Sequence, residues 1–193
     1  MAAVRWAMRR RELLAAAGIS VLAGCLDDGS EPADQIDDVA DDTPPFEIQT
    51  VDAPGSEAGT VQIPQAGRVM LLNFTRTRCP TSEGLLSAVG DTSDDLRRAD
   101  VDVISITDGS AGPQPSPAEL ADWWREHDGS WTIGIDEDGL LNDYYEIRGF
   151  PVVMAIDGAG EVHWRNDGPT AANNMVSGVQ TALEAQESER LLL

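Results

Sequence analysis

Cys79 is the side chain of this 193-residue sequence with the clearest potential for chemistry. It follows a strongly apolar run and precedes Pro80, and proline suits the first position of a helix. A thiolate at a helix N-terminus is stabilised by exposed backbone N–H groups and by the helix dipole. Ser82, one turn further on, can donate another hydrogen bond to it. The segment therefore favours a cysteine of lowered pKa whose thiolate acts as a nucleophile over the alternative, an inert or simply buried cysteine.

Two arginines, Arg76 and Arg78, shortly precede this cysteine. They would add positive potential where their guanidinium groups point toward the sulfur. On a strand they share one face because they are two positions apart, and Cys79 need not share that face. The stabilisation by the backbone of the helix start does not depend on side-chain direction, and it survives high salt best.

The composition is strongly acidic. The chain has 34 Asp and Glu residues against 13 basic residues, all of them arginine, and its net charge is −21. Such a charge argues against nucleic acid as a partner. The absence of lysine favours adaptation to molar salt over an acidic protein of an ordinary cell. At about 1 M salt the Debye length is only ~3 Å, so only contact-range charges matter.

The first 25 residues resemble an export signal that ends in a lipid-attachment site. Residues 10–14, RRELL, resemble the twin-arginine pattern, and the apolar stretch after them is short for a membrane span. Residues 22–25, LAGC, resemble a lipobox, in which Cys25 is lipidated and becomes the new N-terminus. The alternative is an uncleaved signal anchor in which Cys25 has no role. In both cases we expect the remaining chain to be exported and held at the outer face of the cytoplasmic membrane.

Residues 26–45 form the next segment by composition. Eight of these 20 residues are acidic and few are apolar, so the segment cannot bury enough surface to fold. We expect an extended, self-repelling tether. Periodic apolar runs begin at residue 46, and residues 46–188 are long enough to form one domain with a single core.

Strands and helices alternate through this domain. Residues 46–51 and 59–64 alternate between apolar and polar side chains, which predicts a strand pair, and continuous apolar runs predict buried strands at 68–75 and 101–107. The other predicted elements are a helix from Pro80, a loop at 108–117, a helix at 117–128, a strand at 131–136, a helix at 139–147, a hairpin of strands at 151–157 and 161–165, and a closing helix at 170–186. This order predicts an α/β domain with a mixed sheet flanked by helices.

The order of these elements resembles the thioredoxin-like superfamily, in its membrane-anchored TlpA-type or redoxin-like branch. The resemblance covers about residues 46 to 186. One part of it is the buried run LLNFT before Cys79 and Pro80. The more specific part lies within residues 136–162, where the family's order is matched by Asp138-Gly139, Tyr144-Tyr145, Gly149-x-Pro151 and Asp157-x-x-Gly160.

The resemblance implies a site around the cysteine. Pro151 is expected to be cis, to lie against Cys79 and to shape the site with it and with Ser82. Arg78, Pro80 and Phe150 are then expected to bind the substrate. The resemblance implies no cofactor and no resident metal.

The sequence departs from this family at the redox pair. The family has Cys-x-x-Cys, whereas this chain has Cys79-Pro80-Thr81-Ser82. After lipidation of Cys25, Cys79 is the only thiol, so no intramolecular disulfide can form. One thiolate can still exchange with exported proteins that carry thiols or disulfides, if a second partner thiol resolves the mixed disulfide. A membrane electron donor is a further expected partner.

Three other functions remain open. The domain could be a non-catalytic module that binds extended peptides beside Pro151. A one-cysteine peroxidase is less favoured, because that pattern's threonine and proline positions hold Arg76 and Leu72. A copper-handling domain of Sco type would need a second cysteine where Glu83 stands and a histidine ligand, and the histidines of the chain are His127 and His163.

Overall fold

A seven-stranded mixed sheet organises the part of the chain that the computed structural model describes, residues 43–108 and 115–192. The predicted export signal, Cys25 and most of the predicted tether lie outside the described residues. The strands are β1 (Phe46–Thr50), β2 (Gly59–Ile63), β3 (Met70–Thr75), β4 (Asp102–Asp108), β5 (Thr132–Asp136), β6 (Val152–Ile156) and β7 (Val162–Asp167). The helices are α1 (Pro80–Leu96), α2 (Pro117–Glu126), α3 (Leu140–Tyr144) and α4 (Ala172–Arg190), and a short 3-10 turn (Arg97–Ala99) follows α1.

The strand order across the sheet is β2-β1-β5-β4-β3-β6-β7. Strands β3, β4 and β5 are parallel, while β1 and β6 run antiparallel to their neighbours in this central group. Strand β2 extends the sheet at one edge and β7 at the other, each antiparallel to its neighbour. The predicted α/β class is confirmed, with an N-terminal strand pair and a C-terminal hairpin followed by a helix.

Strand β3 is at the centre of the fold because both of its faces are covered. All six of its residues are buried. Met70 and Leu72 face a cluster that includes residues of α3, whereas Leu71 faces a second cluster with residues of α1, α2 and α4. This double burial explains why the strand reads as a continuous apolar run rather than as an alternating one.

Helix α1 begins where the proline predicts it. Cys79 is extended, with φ −125° and ψ 107°, and Pro80 occupies the first turn. The helix then buries one apolar face, which includes Leu85, Leu86 and Val89, against the sheet. The cysteine is therefore fixed at the junction between a fully buried strand and the helix that packs across it.

Some predicted boundaries are wrong. The strand expected from residue 68 begins at Met70, because the Arg68 N–H donates to the Gln65 carbonyl in a turn. The helix expected at 139–147 is only Leu140–Tyr144, since Glu146 has a left-handed φ of 52° that ends it. Helix α4 continues to Arg190, beyond the predicted helix end at residue 186. Among the described residues, no helix combines the length and apolar character that crossing a bilayer requires.

A pair of helical glycines tests the packing of α4 on the sheet. A Cβ on Gly178 would lie 2.4 Å from Cδ2 of Trp164, whereas a Cβ on Gly84 in α1 meets no atom within 4 Å. We expect Gly178→Ala to lower the free energy of unfolding by about 1–3 kcal/mol through overpacking. Gly84→Ala should instead raise it by about 0.5–1 kcal/mol, because alanine loses less backbone entropy. Chemical denaturation of both variants measures this difference, and equal shifts of one sign would contradict the packing.

Candidate active site

The pairing of β3 with β6 brings the predicted site together. Phe74 near the end of β3 is opposite Val152 at the start of β6. The segment after β3, which carries Cys79, therefore lies beside the segment that precedes β6, which carries Phe150 and Pro151. The Cys79 thiol is half-buried and donates a weak hydrogen bond to the Phe150 carbonyl oxygen, with Sγ and O 3.9 Å apart.

One part of the geometry that the resemblance implied for Pro151, the cis peptide bond, is present. The Phe150–Pro151 peptide bond is cis, and Pro151 is buried. Its carbonyl oxygen accepts a hydrogen bond of 2.8 Å from the N–H of Gly168 after β7. The loop before β6 is thus held from both sides, by the strand that follows it and by the turn after β7.

The pKa of the Cys79 thiol is lowered, and Ser82 is the main cause. A hydrogen bond from the Ser82 side chain has the largest effect, burial opposes it, and the backbone N–H groups of Ser82 and Thr81 and the Thr81 side chain add to it. Ser82 is 1% exposed, and its Oγ accepts a bond of 3.3 Å from the Arg76 N–H. The Arg76 N–H therefore fixes the hydroxyl oxygen, and the hydroxyl hydrogen can still be donated to the sulfur.

Arg76 has a different role from the one that the sequence suggested. Strand β3 ends at Thr75, so Arg76 and Arg78 do not share a strand face. The Arg76 guanidinium forms an ion pair with Asp108 and lies over the Phe150 ring, 4.1 Å from its centroid. Neither arginine is among the groups that lower the pKa of Cys79. The hydrogen bonds of the helix start therefore account for the lowered pKa.

A cavity of about 480 Å³ opens beside the sulfur. Four of the residues predicted from the sequence, Arg78, Cys79, Pro80 and Phe150, line it together. Ser82 is buried and does not line the cavity. Pro151 is next to Phe150 in the chain and does not line the cavity either. The other lining residues are Arg76, Asp108, Asn142, Asp143, Ile147, Arg148 and Gly149.

Asp108 and the start of α3 contribute to this site, although the sequence did not lead us to expect them there. Asp108 ends β4 and is opposite Asp136 at the end of the neighbouring parallel strand β5. The carboxyl ends of parallel strands meet at one edge of a sheet, and α/β proteins place their sites there. The position of Asp108 at the end of a predicted strand could therefore have been recognised from the sequence. The residues contributed by α3, Asn142 and Asp143, carried no comparable signal.

Asp136 fixes α3 at the edge of the cavity. Its carboxylate accepts hydrogen bonds from the N–H groups of Leu141 and Asn142, at 3.4 and 2.9 Å. Burial raises the pKa of this carboxyl, and the two N–H groups oppose that effect. Because the carboxylate holds the first turn of α3, it determines where Asn142 stands relative to Cys79.

The histidines lie elsewhere in the structure. His163 on β7 is bonded to Asp157, with Nε2 and Oδ2 2.7 Å apart, and the His127 ring packs against Trp123. Neither histidine lines the cavity around Cys79. Within the described ranges, the group of three side chains able to hold a metal ion is Asp157, Glu161 and His163, which does not include the thiol.

Solved structures similar to this chain have a thioredoxin fold, whereas no protein-family model and no curated protein matches its sequence. StoA from Bacillus subtilis aligns with a TM-score of 0.59 and 20% identity, over 68% of this chain and 93% of that chain. The exposed lipoprotein thioredoxin Etrx1 of Streptococcus pneumoniae strain TIGR4 aligns with a TM-score of 0.57 and 21% identity, over 70% and 97%. A thiol:disulfide interchange protein of the thioredoxin family from Chlorobium tepidum TLS aligns with a TM-score of 0.58 and 18% identity, over 72% and 94%.

These similarities confirm the predicted thioredoxin-like fold. At identities of 18–21% they establish the fold, and the activity has to be argued from the site itself.

The reactivity of Cys79 should depend on Ser82. We expect the alkylation rate of Cys79, measured against pH in the full chain carrying Cys25→Ser, to titrate below the value of about 8.5 for a free thiol. Ser82→Ala should move the midpoint upward, because it removes the strongest donor to the thiolate. Ser87→Ala, at an exposed position of the same helix, is the matched control and should leave the midpoint in place. An alkylation midpoint that is the same in the Ser82→Ala variant as in the parent would contradict the hydrogen-bond explanation.

Proposed function

We propose that this protein carries out thiol–disulfide exchange with exported proteins through the single thiol of Cys79. The observation that supports this most directly is the position of the thiol, half-exposed at the N-terminus of α1 beside Phe150 and Pro151. Its lowered pKa favours the thiolate, which is the form that attacks disulfides. The thioredoxin-like fold agrees with this chemistry.

The exchange can proceed without a second cysteine in the site. The Cys79 thiolate attacks one sulfur of a partner disulfide, which forms a mixed disulfide and releases the other partner sulfur as a thiolate. A second partner thiolate then attacks the partner sulfur of the mixed disulfide and displaces Cys79. The net result is a rearranged partner disulfide with no change in oxidation state. A thiol of low pKa is a good leaving group, so the environment of Cys79 favours this second step.

We place this activity at the outer face of the cytoplasmic membrane, with the chain anchored through lipid on Cys25. Support comes from the twin-arginine-like and lipobox-like patterns of residues 1–25. Etrx1, one of the similar structures, is described as an exposed lipoprotein. Within the superfamily, the proposal assigns the chain to the TlpA-type branch, where a membrane electron donor would be a natural partner.

A non-catalytic peptide-binding module is the second candidate function, and Ser82 is the observation that favours it. Because Ser82 stands where the family has its second cysteine, a partner captured by Cys79 cannot be released by this chain alone. A domain that only holds peptides beside Pro151 would have no use for such a release. The two candidates differ in whether Cys79 is required.

Repair of a scrambled disulfide protein separates these candidates. With scrambled ribonuclease A as the probe, we expect the full chain carrying Cys25→Ser to accelerate the recovery of ribonuclease activity. Adding Cys79→Ser should abolish the acceleration, because no mixed disulfide can form. A chain that binds the scrambled probe equally well with and without Cys79, and never accelerates recovery, would instead be a binding module.

Restoring the missing cysteine should change the fate of the mixed disulfide. We expect the chain carrying Cys25→Ser to accumulate a covalent adduct with the probe that non-reducing electrophoresis detects. Adding Ser82→Cys should make this adduct short-lived, because the new thiol at the helix start attacks it and forms a disulfide with Cys79. An adduct that persists unchanged in this variant would mean that position 82 cannot reach the sulfur.

A further inference from the structure

Two arginines that line the cavity beside Cys79 form no ion pair with any acid among the described residues. Nine arginines lie in the described ranges, and five form ion pairs with Asp residues: Arg68, Arg76, Arg97, Arg125 and Arg165. Of the other four, Arg78 and Arg148 both line this cavity and both are exposed. Arg78 is near enough to Glu119 to help lower the pKa of that carboxyl, but it forms no ion pair with it. In a chain of net charge −21, acidic partners are abundant, so two guanidinium groups beside one thiol that form no ion pair within the described ranges indicate a surface for an external anion.

Asn142 provides an independent indication of a ligand. The residue is only 6% exposed and lines the cavity, and its Oδ1 accepts no hydrogen bond. A buried acceptor without a donor is costly, and an incoming N–H group would satisfy it. Asp143, which is exposed and also lines the cavity, offers a carboxylate to a positively charged amino group.

The size of the cavity and the absence of a resolving cysteine limit what this ligand can be. About 480 Å³ suits a small molecule rather than a folded partner. Cys79 lines the cavity, and the chain has no second thiol at position 82 to release a partner bound to it. A small molecule that carries its own thiol would meet both conditions.

We propose that this cavity binds a low-molecular-weight thiol of the amino-acid or short-peptide type, and that this thiol is the co-substrate that resolves the mixed disulfide on Cys79. Its carboxylates contact Arg78 and Arg148, and its N–H groups contact Asn142 and Asp143. The assignment rests on the proposed exchange function. It changes the net outcome from rearrangement of a partner disulfide to its reduction, with the small thiol as the electron donor.

The reaction is a two-electron reduction of the partner disulfide, and it begins from the mixed disulfide between Cys79 and the partner. The thiolate of the bound small thiol attacks Sγ of Cys79, which breaks the bond to the partner protein and releases the partner as a thiolate that takes a proton from solvent. A second small thiolate attacks the small-molecule sulfur of the new mixed disulfide, and the Cys79 thiolate leaves. One partner disulfide is reduced to two thiols, and two small thiols are oxidised to one disulfide.

The charge preference of Cys79 toward small disulfides tests this assignment. The probes are oxidised glutathione, which carries carboxylates and N–H groups, and the neutral bis(2-hydroxyethyl) disulfide. In the full chain carrying Cys25→Ser, mass spectrometry follows the rate at which each probe forms a mixed disulfide with Cys79. Because intrinsic leaving-group differences do not depend on the protein, the informative quantity is the ratio of the two rates compared between variants.

We expect Arg78→Gln and Arg148→Gln each to lower the ratio of glutathione to neutral probe by about threefold, and the double variant by about tenfold, as for exposed charge contacts. Asn142→Leu, which keeps the volume but removes the acceptor, should lower the same ratio. Arg98→Gln is the matched control, since Arg98 is exposed, makes no ion pair among the described residues and lies outside the cavity. That variant should leave the ratio unchanged.

Two contrary results have different meanings. If Cys79 reacts with both probes but the ratio is the same in the double variant as in the parent, the small-thiol site is refuted and the proposed exchange function stands. If Cys79 reacts with neither probe faster than it does in the chemically unfolded chain, the exchange function itself fails, and the co-substrate fails with it.

Discussion

The antiparallel pairing of β3 with β6 is the interaction on which the site depends. The register that sets Phe74 against Val152 also places Cys79, after one strand, beside Phe150 and Pro151, before the other. Neither strand can shift by one residue without moving its buried side chains to the opposite face of the sheet. The position of the sulfur is therefore fixed by the core, although the sulfur itself is half-exposed.

The few cationic side chains of this acidic chain have mainly structural roles. Most arginines in the described ranges are engaged by nearby carboxylates, and Arg76 is engaged by Asp108 and by the Phe150 ring. This arrangement stabilises the loop around the cysteine rather than the thiolate. The thiolate is stabilised instead by hydrogen bonds from Ser82 and the helix backbone, which act at contact range and are therefore little affected by high salt.

Ser82 has two consequences that belong together. As a hydroxyl it lowers the pKa of Cys79, and as a residue without a thiol it removes the internal route for releasing a captured partner. A low pKa makes the cysteine a good leaving group, which favours release by a thiol from outside. The cavity with Arg78, Arg148 and Asn142 lies where such a thiol would have to bind.

The sequence by itself determined the features that follow from local rules. The α/β order came from hydrophobic periodicity, the helix start came from Pro80, and the donor to the thiolate came from the one-turn spacing of Ser82. Only the tertiary structure decided that Arg76 engages Asp108 and that Asn142 and Arg148 border the same cavity as Cys79. Those contacts join residues far apart in the chain. Their distances depend on strand order, register and the placement of α3, which local patterns do not specify.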